Sequence, residues 1–212
     1  MVLAAGRGER MRPLTDQVPK PLLTVAGKPL IVYHLEKLSR LGVKHVVINL
    51  AWLGGQIRAA LGDGARWNLQ IIYSDEGEQA LETGGGILHA LPLLGPQPFL
   101  VVNADVFTEF DFGAVRIAPE ALAQLVLVAN PLHHPRGDFA LANGRVQEQG
   151  GARWTYSGIG LYRPELFAGC SPGKFPLLPL LRRAIAGSRL HGQVFEGAWS
   201  DVGSVERLAA LQ

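Results

Sequence analysis

Four short, nearly all-apolar runs alternate with helical segments through the first half of the chain. The runs are Val2–Ala5, Val43–Leu50, Gln70–Tyr73 and Phe99–Val102. A strand that is apolar on both faces belongs in a sheet covered on both faces, and strand–helix alternation makes such a sheet parallel. Between the runs, Leu30, Ile31, Leu35, Leu38 and Leu41 fall at helical spacing, with Pro29 at the start and Gly42 as the stop. Gln56–Leu61 predicts a short helix before Gly62-Asp63-Gly64, and Gly84-Gly85-Gly86 opens another that runs to about Leu91.

The second half is richer in strand signals. Gln124–Ala129, Phe139–Leu141, Arg145–Gln147 and Ser157–Tyr162 read as strands, with Asn143-Gly144 as a hairpin turn. Pro176–Ala186 and Val205–Leu211 read as helices. The expected architecture is α/β: a Rossmann-like mixed, mostly parallel central sheet with helices on both faces and a small β-rich substrate lobe. The 212 residues fit one domain, with residues 1–110 and 111–212 as two halves of it. In open α/β sheets ligands bind beyond the carboxyl ends of the strands. The Gly-rich stretch after Val2–Ala5 and the segment Asn103-Ala104-Asp105 both fall there.

Composition narrows the function classes. Hydrophobic residues make up 48% of the chain, enough for a sizeable core and against disorder. The net charge is +2, and no basic run longer than Arg182-Arg183 occurs, so nucleic acid is not an expected partner, whereas small anions are. The single cysteine, Cys170, allows no internal disulfide and suits a reducing compartment. No apolar run is long enough for a membrane span or a signal peptide, so a cytoplasmic protein is expected. Oligomeric state leaves no mark in the sequence.

Two motifs carry chemistry. Gly6-Arg7-Gly8-Glu9-Arg10 follows a strand, where small residues let backbone N–H groups approach an anion. It lacks the Gly-Lys-Ser/Thr of a Walker loop, and Met11 fills the third glycine position of a dinucleotide fingerprint. In Pro19-Lys20-Pro21 the prolines fix the backbone on both sides of a lysine, which aims an otherwise mobile ammonium. His133-His134 lacks a third ligand for a metal. Trp52 and Trp154 read first as packing residues, with Trp154 also a candidate to lie over a sugar.

Leu3-Ala4-Ala5-Gly6-Arg7-Gly8-Glu9-Arg10-Met11-Arg12-Pro13-Leu14-Thr15 followed by Pro19-Lys20-Pro21 is similar to the signature of the sugar-1-phosphate nucleotidylyltransferases. Asn103-Ala104-Asp105, Trp199-Ser200-Asp201-Val202-Gly203 and Leu81-Glu82-Thr83-Gly84-Gly85-Gly86 resemble further motifs of that family. The resemblance spans nearly the whole chain. It implies in-line attack by a sugar 1-phosphate on the α-phosphorus of a nucleoside triphosphate, with pyrophosphate leaving and with Mg2+ as the cofactor. It also implies roles. Arg10 and Lys20 are the catalytic cations. Ala5, Gly6, Gly8, Glu9, Arg10, Lys20 and Gly84 hold the nucleotide. Asp105 and Asp201 hold the metal, and Asn103, Asp138 and Glu148 meet the sugar.

Within the family, Ile48–Gly54, Leu81–Gly86, Phe99–Phe112 and Gly137-Asp138-Phe139 resemble the bacterial uridylyltransferases acting on N-acetylmuramate 1-phosphate in cell-wall recycling. UTP is the triphosphate this implies, ahead of GTP or dTTP with a mannose, heptose or glucose phosphate. A non-catalytic nucleotide-sugar-binding module is the alternative of another class. Three departures stand out. Glu148 lies in Gln147-Glu148-Gln149-Gly150 rather than in the family's E-K-P run, Gln79-Ala80 adds a residue that could displace Glu76 or Glu78, and Ala104 replaces a common glycine.

Overall fold

The computed structural model describes residues 1–212. Thirteen strands follow in chain order: β1 (Val2–Leu3), β2 (Thr24–Val25), β3 (Lys28–Pro29), β4 (His45–Leu50), β5 (Gln70–Asp75), β6 (Phe99–Asn103), β7 (Val106–Thr108), β8 (Ala123–Val128), β9 (Phe139–Ala142), β10 (Arg145–Gln147), β11 (Arg153–Tyr162), β12 (Leu190–Phe195) and β13 (Trp199–Asp201). The α-helices are α1 (Leu14–Gln17), α2 (Leu30–Arg40), α3 (Gly54–Leu61), α4 (Glu82–Leu94), α5 (Leu178–Ala186) and α6 (Val205–Ala209).

Nine strands form one sheet in the order β5-β4-β1-β6-β11-β8-β12-β10-β9. From β5 to β6 every pairing is parallel, as the apolar runs and intervening helices require. Beyond β6 the expectation of a mostly parallel sheet fails. Only β8 and β12 pair in parallel there, against five antiparallel pairings, so the sheet as a whole is evenly mixed. The cause is β11, which inserts antiparallel between β6 and β8 and carries the second half's strands into the same sheet. The strand β12 has no counterpart in the sequence reading. Its Leu190-His191-Gly192-Gln193-Val194-Phe195 mixes polar residues with a glycine, and it is a strand because β8 supplies a parallel partner along its full length.

Side-chain alternation places helices on both faces. Val46, Ile48 and Leu50 of β4 share a core with Ile31 and Leu35 of α2 and with Ile57 and Leu61 of α3. Val47 points the other way, into a core with Ile87 and Ala90 of α4 and with Leu180, Leu181 and Ala184 of α5. Each fully buried Leu or Ile contributes about 1.5–3 kcal/mol by leaving water, so these two layers fix the strand ends that face the ligand side. A smaller core of Met11, Leu23, Val25, Leu30 and Val202 ties the Gly-rich loop to the chain's last strand. No helix is long and apolar enough to cross a membrane.

Candidate active site

The carboxyl ends of β1, β4 and β6 open onto a cavity of about 470 Å³, walled by the Gly-rich loop, Lys20, the start of α4 and Asn103-Ala104-Asp105. The loop has a rigid and a free half. Gly8 sits at φ 69, a left-handed conformation natural to glycine, and a methyl group there would lie 2.9 Å from Thr15 Cγ2. The Thr15 hydroxyl donates to the Gly8 carbonyl at 2.9 Å. Arg7 donates to the Thr15 carbonyl at 2.9 Å and to Asp16 at 2.6 Å, with its guanidinium 3.6 Å above the Trp52 ring. The Trp52 indole N–H bonds the same carbonyl at 2.9 Å, so this tryptophan fastens the loop.

The free half is Gly6, Glu9 and Arg10. Gly6 leaves open space where a side chain would begin. Glu9 and Arg10 are exposed along the cavity rim, and neither side chain is spent on a protein partner. Opposite them, Lys20 is buried by its flanking prolines and donates its ammonium N–H to Asp105 Oδ2. Ala104, tightly buried before Asp105, avoids the left-handed region, which is why a methyl is tolerated there.

Asp201 lies far along the sequence yet beside Asp105. β13 pairs with β7, and the Val202 N–H donates to the Asp105 carbonyl at 2.8 Å. The Asp201 carboxylate is 3.2 Å from both Arg207 Nη1 and His133 Nε2. No group of three or more His, Cys, Asp or Glu gathers in the molecule. Two carboxylates at adjoining strand ends beside the Gly-rich loop are oxygen donors of the kind that suits magnesium, which takes one or two carboxylates and completes its shell with water and phosphate oxygens. They do not suit zinc, which wants nitrogen or sulfur.

Asn49 has no role in the sequence reading, and Glu76 enters it only as a residue that could be displaced; both line the cavity. Asn49 Oδ1 accepts the Ala4 N–H at 2.8 Å, and its Nδ2 donates to Glu76 Oε1 at 2.7 Å. Glu76 Oε2 accepts the Leu81 N–H at 2.7 Å. One chain of bonds thus runs from β1 to the start of α4. The residue added near Gln79 leaves Glu76 in the site. The usable signal was Asn49 itself, the single amide among Val46–Leu50 at a strand's carboxyl end.

The three glycines of α4 serve packing. A methyl at Gly84 would lie 2.6 Å from the Phe175 ring, one at Gly85 2.1 Å from the Gly173 carbonyl, and one at Gly86 2.5 Å from Glu76 Oε1. Gly84 is buried behind the cavity wall, and Glu82 and Thr83 are the residues of this turn that face the cavity. Glu82 holds a left-handed φ of 59, unusual for a side-chain-bearing residue and typical of positions fixed by their surroundings at a site.

The expected sugar residues are divided. Asn103 faces the cavity, in room made by a bulge in β11 where Gly158 at φ 79 brings only hydrogen toward its amide. Asp138 lies outside the cavity wall, holding His134 Nε2 at 3.0 Å and the Tyr156 N–H at 2.8 Å. Glu148 is exposed and paired with Arg182 at 2.9 Å. Trp154 packs against the second core.

The profile of the Nucleotidyl transferase family matches residues 1–139, which carry the Gly-rich loop, Lys20 and Asp105. The chain belongs to the nucleotidyl transferase family. Among curated members, an N-acetylmuramate alpha-1-phosphate uridylyltransferase of Neisseria meningitidis is 53% identical, over 100% of this chain and 96% of its own. One of Caulobacter vibrioides is 40% identical over 99% and 94%. A mannose-1-phosphate guanylyltransferase of Mycobacterium tuberculosis is 35% identical over 62% of this chain and 38% of its own. Among solved structures, HddC from Yersinia pseudotuberculosis complexed with GMP-PN has a TM-score of 0.80 at 20% identity, covering 99% of this chain and 96% of that one, which supports the fold.

Proposed function

We propose that this protein transfers the uridylyl group of UTP to N-acetylmuramate α-1-phosphate, giving the UDP-sugar and pyrophosphate. The observation that carries the substrates is the extent of similarity. The N-acetylmuramate alpha-1-phosphate uridylyltransferases match from end to end, whereas a glucose-1-phosphate uridylyltransferase and a mannose-1-phosphate guanylyltransferase each match 62% of the chain.

The cavity supports the chemistry. A triphosphate and a sugar phosphate bring together about six negative charges, so catalysis is mainly positioning and charge stabilisation. In this reading residues 1–110 hold the nucleotide and 111–212 the sugar. Ala5 and Gly6 leave space against the base, with Thr83 at the position the sequence gave to Gly84. Gly8, Glu9, Arg10 and Lys20 follow the phosphates. A phosphate oxygen of the sugar bonds to the α-phosphorus as the bond to the β-phosphate's bridging oxygen breaks, and pyrophosphate leaves with the electron pair. The nucleophile is already an anion, so no general base is required. Lys20 and Arg10 stabilise the charge on the transferred group. Mg2+ held by Asp105 and Asp201 would supply further neutralisation of the phosphates. We place the protein in the cytoplasm, in keeping with its single, unpaired cysteine.

The test is product identity. Purified protein with UTP, N-acetylmuramate α-1-phosphate and MgCl2 should form a compound with the mass of the UDP-sugar. Pyrophosphate without that mass would reject the reading.

A further inference from the structure

The site described so far supplies its cations from one side only. Arg10 and Lys20 both belong to the first half, whose loop follows the triphosphate. The acceptor is itself a phosphate dianion and must approach another anion, so it needs a cation of its own.

Arg207, the third residue of α6, is placed to meet it. Its guanidinium is mostly buried, with a side-chain exposure of 20%. Nη1 is held between the Asp201 carboxylate and His133 Nε2. Its Nε is buried without a hydrogen-bond partner, and no acceptor in the protein takes its Nη2. Buried donors are nearly always satisfied, so an arginine with one edge held and the other edge unspent is a group waiting for an acceptor. On that edge Nε is covered by protein, and Nη2 is the donor left for an incoming phosphate oxygen.

Its direction is fixed by Gly203, which lines the cavity. A methyl group at Gly203 would lie 2.1 Å from Arg207 Nη2 and 3.2 Å from Arg10 Nη2. Two guanidinium groups therefore converge over one glycine with a single carboxylate, Asp201, beside them. Like charges brought this close leave a net positive spot that an anion relieves. Arg207 comes from the second half of the chain, the half assigned to the sugar in the reading above.

We infer that Arg207 binds the phosphate of the attacking sugar 1-phosphate and holds it opposite the Arg10 side of the triphosphate, an inference that rests on the transferase reading above. A side chain at Gly203 would push the Arg207 guanidinium from this place.

The experiment compares wild type with Arg207→Gln, Arg207→Lys and Arg207→Ala. It measures steady-state pyrophosphate release against sugar phosphate, UTP affinity by calorimetry without acceptor, and thermal melting. Arg207→Gln should lower kcat/KM for the sugar phosphate about 10²–10³-fold and leave UTP affinity within about twofold, as expected when no triphosphate contact is lost. Arg207→Lys should recover part of the loss, and added guanidinium should partly restore Arg207→Ala, a rescue that a purely structural role would not give. An Arg207→Gln enzyme with unchanged kcat/KM, or one whose UTP affinity falls as far as its acceptor efficiency, would overturn the inference while wild-type turnover keeps the transferase reading. A wild type without turnover on any sugar phosphate would overturn the reading and this inference together.

Discussion

The Lys20 ammonium donates to the Asp105 carboxylate across 85 residues of sequence, joining the Pro-locked turn after the Gly-rich loop to the end of β6. The contact couples a fixed cation with a carboxylate suited to a metal at one wall of one cavity. Lysine aimed in this way is already placed before substrate arrives, so little reorganisation is needed when charge develops on the phosphates.

Lys20→Ala should therefore lower kcat by about 10²–10³-fold, the scale for losing one preorganised contact. Asp105 keeps 31% side-chain exposure, so the freed carboxylate can be hydrated and the melting temperature should change little. Pyrophosphate release and a thermal melt on the same preparation check both parts.

Gly6 and Gly8 should respond differently to a methyl group. At Gly6 the space is open and the backbone is not left-handed, so Gly6→Ala should fold normally and weaken UTP binding by intruding on the cavity. At Gly8 the left-handed backbone and the nearby Thr15 Cγ2 should cost about 1–2 kcal/mol of stability. Calorimetric titration with UTP and chemical denaturation separate the two outcomes.

Glu76 tests the bond chain from β1 to α4. Glu76→Ala strands the Asn49 amide and the Leu81 N–H, each part-buried, and should destabilise the fold by about 1–3 kcal/mol. The KM for UTP should rise because the α4 turn facing the cavity loses its tether. Glu76→Gln retains an acceptor for Leu81 and should lose less in both denaturation and kinetics.

Acid stability should carry the mark of His34. Burial, with a smaller contribution from the Lys37 charge, pushes this imidazole down from 6.5 to about 4. Neither ring nitrogen has a hydrogen-bond partner, the Val106 backbone being near but outside bonding geometry. The unfolded chain takes up a proton below pH 6.5 that the folded protein refuses until about 4. Stability should fall as pH drops through that window, by at most about 3 kcal/mol from this group, and level off below it. His34→Leu should flatten that limb in urea denaturation measured at a series of pH values.

How far the sequence reached depends on how local each feature is. The parallel half was legible because its strands are apolar on both faces and its helices carry their own period. The Gly-rich loop and Pro19-Lys20-Pro21 were legible because glycine and proline act on the backbone where they stand. The strand β12 was not, since a Gly- and polar-bearing segment becomes a strand only when β8 lies alongside it. Why Gly84-Gly85-Gly86 must be glycine was not legible, since Phe175, Gly173 and Glu76 crowd them and those partners are set by tertiary packing. Arg207 carried no local signal, and His133 was visible only as half of a His pair, because their meaning comes from meeting at Asp201.

The central claim is most directly tested by pyrophosphate release across a matrix of triphosphates and acceptors. UTP, GTP and dTTP would each be paired with N-acetylmuramate, glucose and mannose 1-phosphates in the presence of MgCl2. The account predicts the highest kcat/KM for UTP with N-acetylmuramate α-1-phosphate. Release that favours GTP with mannose 1-phosphate, or no release in any pairing, would contradict it.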